Sequence, residues 1–204
     1  MNIDEVMRTA PVIPVLVLDG AVDAVALAET LVEAGLPVIE VTLRTESALG
    51  AIAEMARVPG AIVGAGTVLD EAQLAQAVDA GSQFIVSPGL SHRVALAARD
   101  SGVAFLPGVA TASDIMRGLE LGLDRFKFFP AETSGGIAAL KALTGPFGDV
   151  RFCPTGGIRP ETAADWLALE AVLCVGGSWI VRPGETDLQV VAERARQAAA
   201  LARN

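Results

Sequence analysis

The sequence predicts an α/β protein, a single (β/α)8 TIM barrel in which helices cover eight parallel strands. Two observations support this fold. Eight short apolar runs start at intervals of roughly 20 to 26 residues, and each is followed by a segment with helical spacing of its apolar residues. The runs are apolar at nearly every position, which is typical of parallel strands buried on both faces. Because this period leaves no room for a linker, residues 1–204 are predicted to form one domain.

The elements follow in order along the chain. The predicted strands are VIPVLVL from Val12, VIEVTLR from Val38, AIVGAGT from Ala61, FIVSP from Phe84, AFLPGV from Ala104, RFKFFP from Arg125, RFCPTGG from Arg151 and AVLCVGGS from Ala171. The predicted helices between them are AVDAVALAETLVEAG, SALGAIAEMARV, DEAQLAQAVDAG, SHRVALAARDSG, TASDIMRGLELG, GGIAALKALTGPF and PETAADWLALE, with a last helix from about Asp187 to Arg203.

Capping residues support these helix boundaries. Asp70, Ser91 and Thr111 stand where N-caps belong, and Pro160 stands at a first helical turn. Gly102 is one of several glycines that stand where helices should end. The alternative fold is an open doubly wound sheet, but GAGTVL (64–69) lacks the third glycine of a dinucleotide fingerprint. A barrel is therefore the favoured fold.

Composition and charge exclude several classes of function. The net charge of −9 argues against a nucleic-acid partner, because phosphate backbones need a basic surface. Mean hydropathy is +0.50, yet no apolar run approaches the ~18 residues that span a bilayer. Cys153 and Cys174 lie in apolar runs and are predicted to be buried thiols, so the cytoplasm is the expected location. With His92 as the single histidine, we expect neither a metal site nor a Ser-His-Asp triad.

Polar residues interrupt the second strand on one face. The two-residue period of a strand places Glu40, Thr42 and Arg44 together, and places Ile39 and Val41 on the opposite face. The apolar face should meet the helices, so the polar face is predicted to point into the barrel. A carboxylate and a guanidinium there are costly unless they are paired or used. The alternative interpretation is a structural ion pair.

A lysine occupies the sixth strand in the same way. Phe126 and Phe128 should pack under the helices, so Lys127 is predicted to point into the barrel. Removing an ammonium from water favours the neutral amine, which is the form that attacks a carbonyl. The alternative is a structural pair between Lys127 and Glu40. Lys141, within a helix, is predicted to be a surface residue.

Glycine-rich turns follow the last two strands, where barrels of this class often bind phosphate. Their candidate ligands are Thr155, Gly156 and Gly157 after one strand and Gly176, Gly177 and Ser178 after the other. Thr67 and Pro88 end two further strands. An amine, a carboxylate, an anion-binding Arg and Thr, and a phosphate cradle together favour a Schiff-base enzyme that acts on a phosphorylated keto acid. The alternative interpretation of both glycine turns is that they are structural only.

The chain also resembles a known family over nearly its whole length. The motifs that carry the resemblance are PVIPVLV, EVTLRT (40–45), IVGAGTVL (62–69), SPGL (87–90), FKFFPAE (126–132), GPFGDVRFCPTGGI (145–158) and VLCVGGSW (172–179). They resemble the class I aldolases for 2-keto-3-deoxy-6-phosphogluconate and 4-hydroxy-2-oxoglutarate. The resemblance implies a homotrimer of barrels in the Entner–Doudoroff pathway that releases pyruvate and glyceraldehyde 3-phosphate without metal or other cofactor.

The resemblance also implies roles for individual residues. It makes Lys127 the Schiff-base lysine and Glu40 the general acid and base, with Arg44, Thr67, Pro88 and Phe129 around pyruvate and Thr155, Gly156, Gly157, Gly177 and Ser178 around the phosphate. Three alternatives remain: a related pyruvate aldolase for the 6-phosphogalactonate series or 4-hydroxy-2-oxoglutarate, a phosphosugar isomerase without a covalent step, and a non-catalytic phosphoester-binding barrel. The segment AETSGG after the sixth strand departs from the family and leaves fine specificity open.

Overall fold

The computed structural model describes residues 1–202. Its helices are α1 (Ile3–Thr9), α2 (Ala24–Glu33), α3 (Ala48–Met55), α4 (Glu71–Asp79), α5 (His92–Ser101), α6 (Ala112–Glu120), α7 (Gly136–Thr144), α8 (Pro160–Leu167) and α9 (Leu188–Ala199). Its strands are β1 (Val12–Leu16), β2 (Val38–Thr42), β3 (Ile62–Gly66), β4 (Phe84–Val86), β5 (Ala104–Leu106), β6 (Gly108–Val109), β7 (Arg125–Phe128), β8 (Arg151–Pro154) and β9 (Val175–Gly177).

The strands form a closed parallel ring. One sheet has the order β5-β4-β3-β2-β1-β9, and a second has the order β6-β7-β8. Pro107 separates β5 from β6, which are two parts of one barrel strand. At the other junction, isolated bridges join Phe152 to Val172 and Thr155 to Gly176. The predicted (β/α)8 barrel is therefore confirmed.

Several predicted boundaries change in the structure. The predicted strand AFLPGV is divided at Pro107, because proline has no N–H to donate to a neighbouring strand. The last helix ends at Ala199, whereas the predicted end, Arg203, lies outside the described residues. Helix α1 was not predicted. The caps at Asp70, Ser91 and Thr111 are confirmed: each side-chain oxygen accepts a backbone N–H of its helix.

Two apolar regions divide the interior. The larger lies between the strands and the surrounding helices. The smaller fills the barrel itself, and Val6 and Met7 of α1 pack against it, so that α1 closes the amino-terminal end of the ring. Both cysteines are buried in this inner region, as predicted. None of the helices within residues 1–202 is long and apolar enough to cross a bilayer.

An ion pair ties α1 to the barrel. Arg125, the first residue of β7, donates through Nε to Asp4 Oδ1 at 2.6 Å. Burial raises the pKa of the Asp4 carboxyl, but hydrogen bonds from Arg8 and Arg125 outweigh it and hold the pKa below its ordinary value of 3.8. Asp4 is therefore most strongly paired in its ionised form.

Candidate active site

A lysine and a glutamate meet inside the barrel. Lys127 Nζ on β7 lies 2.9 Å from Glu40 Oε1 and 3.3 Å from Oε2 on β2. Lys127 is 5% exposed and Glu40 is 3% exposed. A pair so well shielded from water interacts more strongly than a surface pair. Two residues separated by 87 positions in the chain thus form one charged unit at the centre of the molecule.

The alternation of strand faces explains why both side chains point inward. Ile39 and Val41 lie in the outer apolar region, between β2 and its helices. Phe126 and Phe128 do the same on β7, and the Phe128 ring lies 6.3 Å from the ring of Trp166 on α8. The side chains on the other face of each strand must therefore point into the barrel. The inward direction predicted for Glu40 and Lys127 is confirmed.

The other two polar residues of the predicted second strand, Thr42 and Arg44, do not join the Lys127–Glu40 pair. Thr42 is buried, and its hydroxyl donates to the Leu16 carbonyl at 2.8 Å. Arg44 lies beyond the end of β2 and is exposed, so it is not part of the inward face of that strand, where the sequence predicted it. Strand β2 ends two residues before Arg44, so the alternation of strand faces does not determine the direction of the Arg44 side chain. Instead, Arg44 Nε donates to Thr67 Oγ1 at 3.2 Å.

Three predicted pocket residues stand at the carboxyl ends of strands. Thr67 follows β3 and is half-buried, and its φ of 60° is the one positive value at a non-glycine residue in the described chain. Phe129 follows β7, with its ring centroid 5.5 Å from Lys127 Nζ. Pro88 follows β4 and is half-buried, with its carbonyl packed against Gly108. Phe129 is thus placed directly beside the amine.

The two glycine-rich turns are adjacent. A bridge joins Thr155 to Gly176, and the Thr155 side chain fills the space that a Gly176 side chain would need. The Thr155 hydroxyl is therefore buried, 3.9 Å from Cys153 Sγ, rather than open to solvent. Gly157 and Ser178 are exposed, whereas Gly156 is half-buried and Gly177 is buried. The structure brings all five predicted phosphate residues into one region, but it does not present the threonine hydroxyl there.

Glu132 contacts this region and was missed by sequence reasoning. Its backbone N–H donates to the Gly156 carbonyl at 3.1 Å, and its Oε1 accepts from Trp166 Nε1 at 3.1 Å. Its side chain covers Gly157 so closely that an added Cβ there would lie 2.7 Å from Glu132 Cγ. The only signal in the sequence is its place directly after FKFFPA. Glu132 therefore links the turn after β8 to helix α8.

The arrangement can support covalent chemistry on a carbonyl. An amine and a carboxylate in hydrogen-bond contact can exchange a proton, and the amine released in this way is a nucleophile. Within residues 1–202, no group of three or more His, Cys, Asp or Glu side chains is placed to hold a metal ion. The ring of Phe129 forms an apolar surface beside the amine.

Comparisons with known proteins agree on one family. A family model described as KDPG and KHG aldolase matches residues 3–193. The 2-dehydro-3-deoxy-phosphogluconate aldolase of Zymomonas mobilis strain ZM4 is 54% identical over 202 residues, which cover 99% of this chain and 97% of that protein. The KHG/KDPG aldolase of Escherichia coli strain K12 is 52% identical over 179 residues, which cover 87% and 84%.

Solved structures give the same result. The 2-keto-3-deoxy-6-phosphogluconate aldolase of Zymomonas mobilis ATCC 29191 aligns with a TM-score of 0.97 at 54% identity, covering 100% of this chain and 98% of that one. The KDPG aldolase of Legionella pneumophila, solved with pyruvate captured as a covalent carbinolamine intermediate, aligns with a TM-score of 0.93 at 42% identity, covering 97% and 98%.

Proposed function

The chain belongs to the KDPG and KHG aldolase family, and we propose that it is the class I aldolase that reversibly cleaves 2-keto-3-deoxy-6-phosphogluconate to pyruvate and glyceraldehyde 3-phosphate in the Entner–Doudoroff pathway. The observation that carries the proposal is the buried contact between Lys127 and Glu40. The covalent pyruvate in the Legionella relative supports a Schiff base in the family.

The reaction begins with proton transfer between these two residues. Glu40 takes a proton from Lys127, and the free amine attacks the C2 ketone of the substrate to give a carbinolamine. Glu40 then returns a proton to the carbinolamine hydroxyl, water leaves, and an iminium forms. The 2.9 Å contact already places the donor and acceptor within the range that general acid–base catalysis requires.

The iminium then draws electrons from the bond that breaks. Loss of the C4 hydroxyl proton to the carboxylate forms the aldehyde of glyceraldehyde 3-phosphate, and the C3–C4 electron pair moves into an enamine on Lys127. Protonation at C3 gives the pyruvate iminium. Water adds back, and pyruvate leaves with regeneration of the amine, so the water lost in the first half is returned. No metal or organic cofactor takes part in this proposed sequence.

We assign the carboxylate end of the substrate to Arg44 and Thr67, with Pro88 and Phe129 lining the pocket. The 3.2 Å hydrogen bond between Arg44 and Thr67 supports this pairing, because it sets a guanidinium and a hydroxyl side by side at the end of the barrel. Arg44 can reach an anion there because it is exposed rather than drawn into the barrel. Its guanidinium suits a planar carboxylate.

We assign the phosphate to Thr155, Gly156, Gly157, Gly177 and Ser178. The bridge between Thr155 and Gly176 supports one shared cradle. Backbone N–H groups of glycine turns and a serine hydroxyl are suitable donors to an anion. Because the Thr155 hydroxyl is buried, we assign Thr155 a role in shaping the turn that binds the phosphate, and not a side-chain hydrogen bond to it. The exposed Ser178 hydroxyl is the side-chain donor of the set.

We further propose that residues 1–204 act as one domain, that the enzyme is a cytoplasmic homotrimer, and that it has no nucleic-acid partner, consistent with its net charge of −9. A second substrate, 4-hydroxy-2-oxoglutarate, is favoured by the double name of the 52% identical Escherichia coli relative. Two alternatives are a related aldolase for the 6-phosphogalactonate series, which cleavage rates on the two C4 epimers of the substrate would separate, and a non-covalent isomerase, which the following experiment separates.

Borohydride trapping tests the covalent step. The protein is incubated with pyruvate and sodium borohydride, digested, and analysed by peptide mass spectrometry. We expect a reduced pyruvate adduct on Lys127 in the wild type and in K141M, and no adduct in K127M. Lys141 is the matched control because it is the only other lysine and is exposed on α7. An adduct on Lys141 in place of Lys127 would refute the role of Lys127, whereas no adduct on folded wild-type protein would refute the Schiff-base mechanism and favour the isomerase.

A further inference from the structure

Strand β3 presents two glycines to the barrel interior. Gly64 and Gly66 pair in register with Glu40 and Thr42 of β2, so they share the inward face of Glu40. Neither has a positive φ, so the backbone at both positions suits an ordinary L residue. Glycine within a strand lowers stability because it loses more conformational freedom on folding and has no side chain to pack. Some other requirement must therefore explain why no side chain is present.

At Gly66 the space is occupied by the Glu40 carboxylate. An added Cβ would lie 2.7 Å from Glu40 Cγ and 2.8 Å from Cδ, and closer still to Oε1. These three atoms of Glu40 are the nearest to that position. Oε1 is also the oxygen that accepts from Lys127 at 2.9 Å. The Glu40 carboxylate thus lies against β3, in space that is available only because residue 66 has no side chain.

We propose that Gly66 is a positioning residue that keeps the Glu40 carboxylate in contact with the Lys127 amine. The inference rests on the proposed function of that pair. Gly66 touches no reacting atom in this account and acts only through Glu40. A methyl group at this position would push the flexible glutamate side chain away, because the backbone of β3 is held by β2 and β4 on either side.

The Gly66→Ala variant should therefore lose activity through a displaced carboxylate. A shift of about 1 Å in a catalytic group can cost on the order of 10²-fold in rate, and we expect a loss of that size in kcat/KM for aldol cleavage. The side chain in Glu40→Asp is shorter by one C–C bond, about 1.5 Å, which withdraws the carboxylate from Lys127 whether or not residue 66 carries a methyl group. The effect of Gly66→Ala should then fall to about threefold or less when it is made in the E40D background.

The test is a double-mutant cycle with the wild type, G66A, E40D and G66A/E40D. A much smaller loss from G66A in the E40D background supports the proposal, whereas an equal loss from G66A in both backgrounds overturns it. Gly64→Ala is the matched control on the same face of the same strand. Its Cβ would meet the Phe84 ring at 2.5 to 2.6 Å rather than Glu40. We expect any loss from G64A to be the same with and without E40D.

If G66A does not fold, the proposal is tested instead by comparing melting temperatures of variants that lack the Glu40 side chain. In G66A/E40A the displaced side chain is absent, so its melting temperature should match that of E40A within a few degrees. A G66A/E40A protein that fails to fold under conditions in which E40A folds would place the clash elsewhere and overturn the proposal. This comparison uses no substrate, so its failure is distinct from failure of the proposed function, which would appear as wild-type protein without a lysine adduct.

Discussion

Replacing Lys127 with methionine should separate the chemical role of the buried pair from its structural role. Methionine has a similar length but no charge, so Glu40 would remain in the interior without its partner. The Glu40 side chain is only 4% exposed, so most of it would stay out of contact with bulk water when its contacts of 2.9 and 3.3 Å with Lys127 are lost. Removing one partner of a buried pair typically costs about 3–5 kcal/mol.

The expected loss of stability is measurable by heat or urea. For a chain of this size, about 1 kcal/mol corresponds to roughly 2–4 °C in melting temperature, so a loss of about 3 kcal/mol lowers Tm by roughly 6–12 °C. Replacing both charges, as in K127M/E40M, should recover most of this loss, because apolar residues of similar volume often substitute for a buried ion pair without penalty. All proteins are compared at one concentration, since assembly shifts Tm.

Activity should follow a different pattern from stability. Aldol cleavage, followed by pyruvate release, should be lost in K127M and should stay lost in K127M/E40M. The control K141M, with its lysine exposed on α7, should match the wild type in rate and lie within about 0.5 kcal/mol in stability. Wild-type stability in K127M, or a double variant no more stable than K127M, would refute the description of a buried, mutually dependent pair.

Two further predictions concern the phosphate cradle and the base of the barrel. Ser178→Ala should raise KM about tenfold for phosphorylated substrate, from loss of one hydrogen bond to a charged group, and much less for 4-hydroxy-2-oxoglutarate; equal effects in steady-state kinetics would argue against a phosphate contact. Asp4→Asn should lower stability by about 1 kcal/mol or less near pH 7. The depressed pKa of Asp4 means that its ion pair stabilises the fold above the unfolded value near 3.8 and that this contribution is lost as pH falls through the lower folded value. Urea denaturation should therefore show a difference between D4N and wild type at pH 7 that disappears well below pH 3.8, and a difference that persists there would contradict the assignment.

The sequence was sufficient for the parts of the fold that depend on local pattern. Period-two alternation placed Ile39 and Val41 against helices and Glu40 inside the barrel, and the caps at Asp70 and Ser91 marked true helix starts. It was insufficient where the pattern is short. Helix α1 has only seven residues. Its two buried apolar residues, Val6 and Met7, are too short a pattern to predict a helix that covers the amino-terminal end of the barrel.

The sequence by itself determined the order of the strands and helices and the inward face of Glu40 and Lys127, and through family resemblance it indicated which residues carry the chemistry. Only the tertiary structure decided which residues meet. Closure of the ring sets the direction and register of each strand, and these bring Lys127 to Glu40 across 87 residues while leaving Arg44 outside with Thr67. The need for glycine at position 66 arises in the same way, because the side chain that fills its space comes from a neighbouring strand. Local periodicity specifies a direction, but a distance across the barrel depends on the packing of all the strands together.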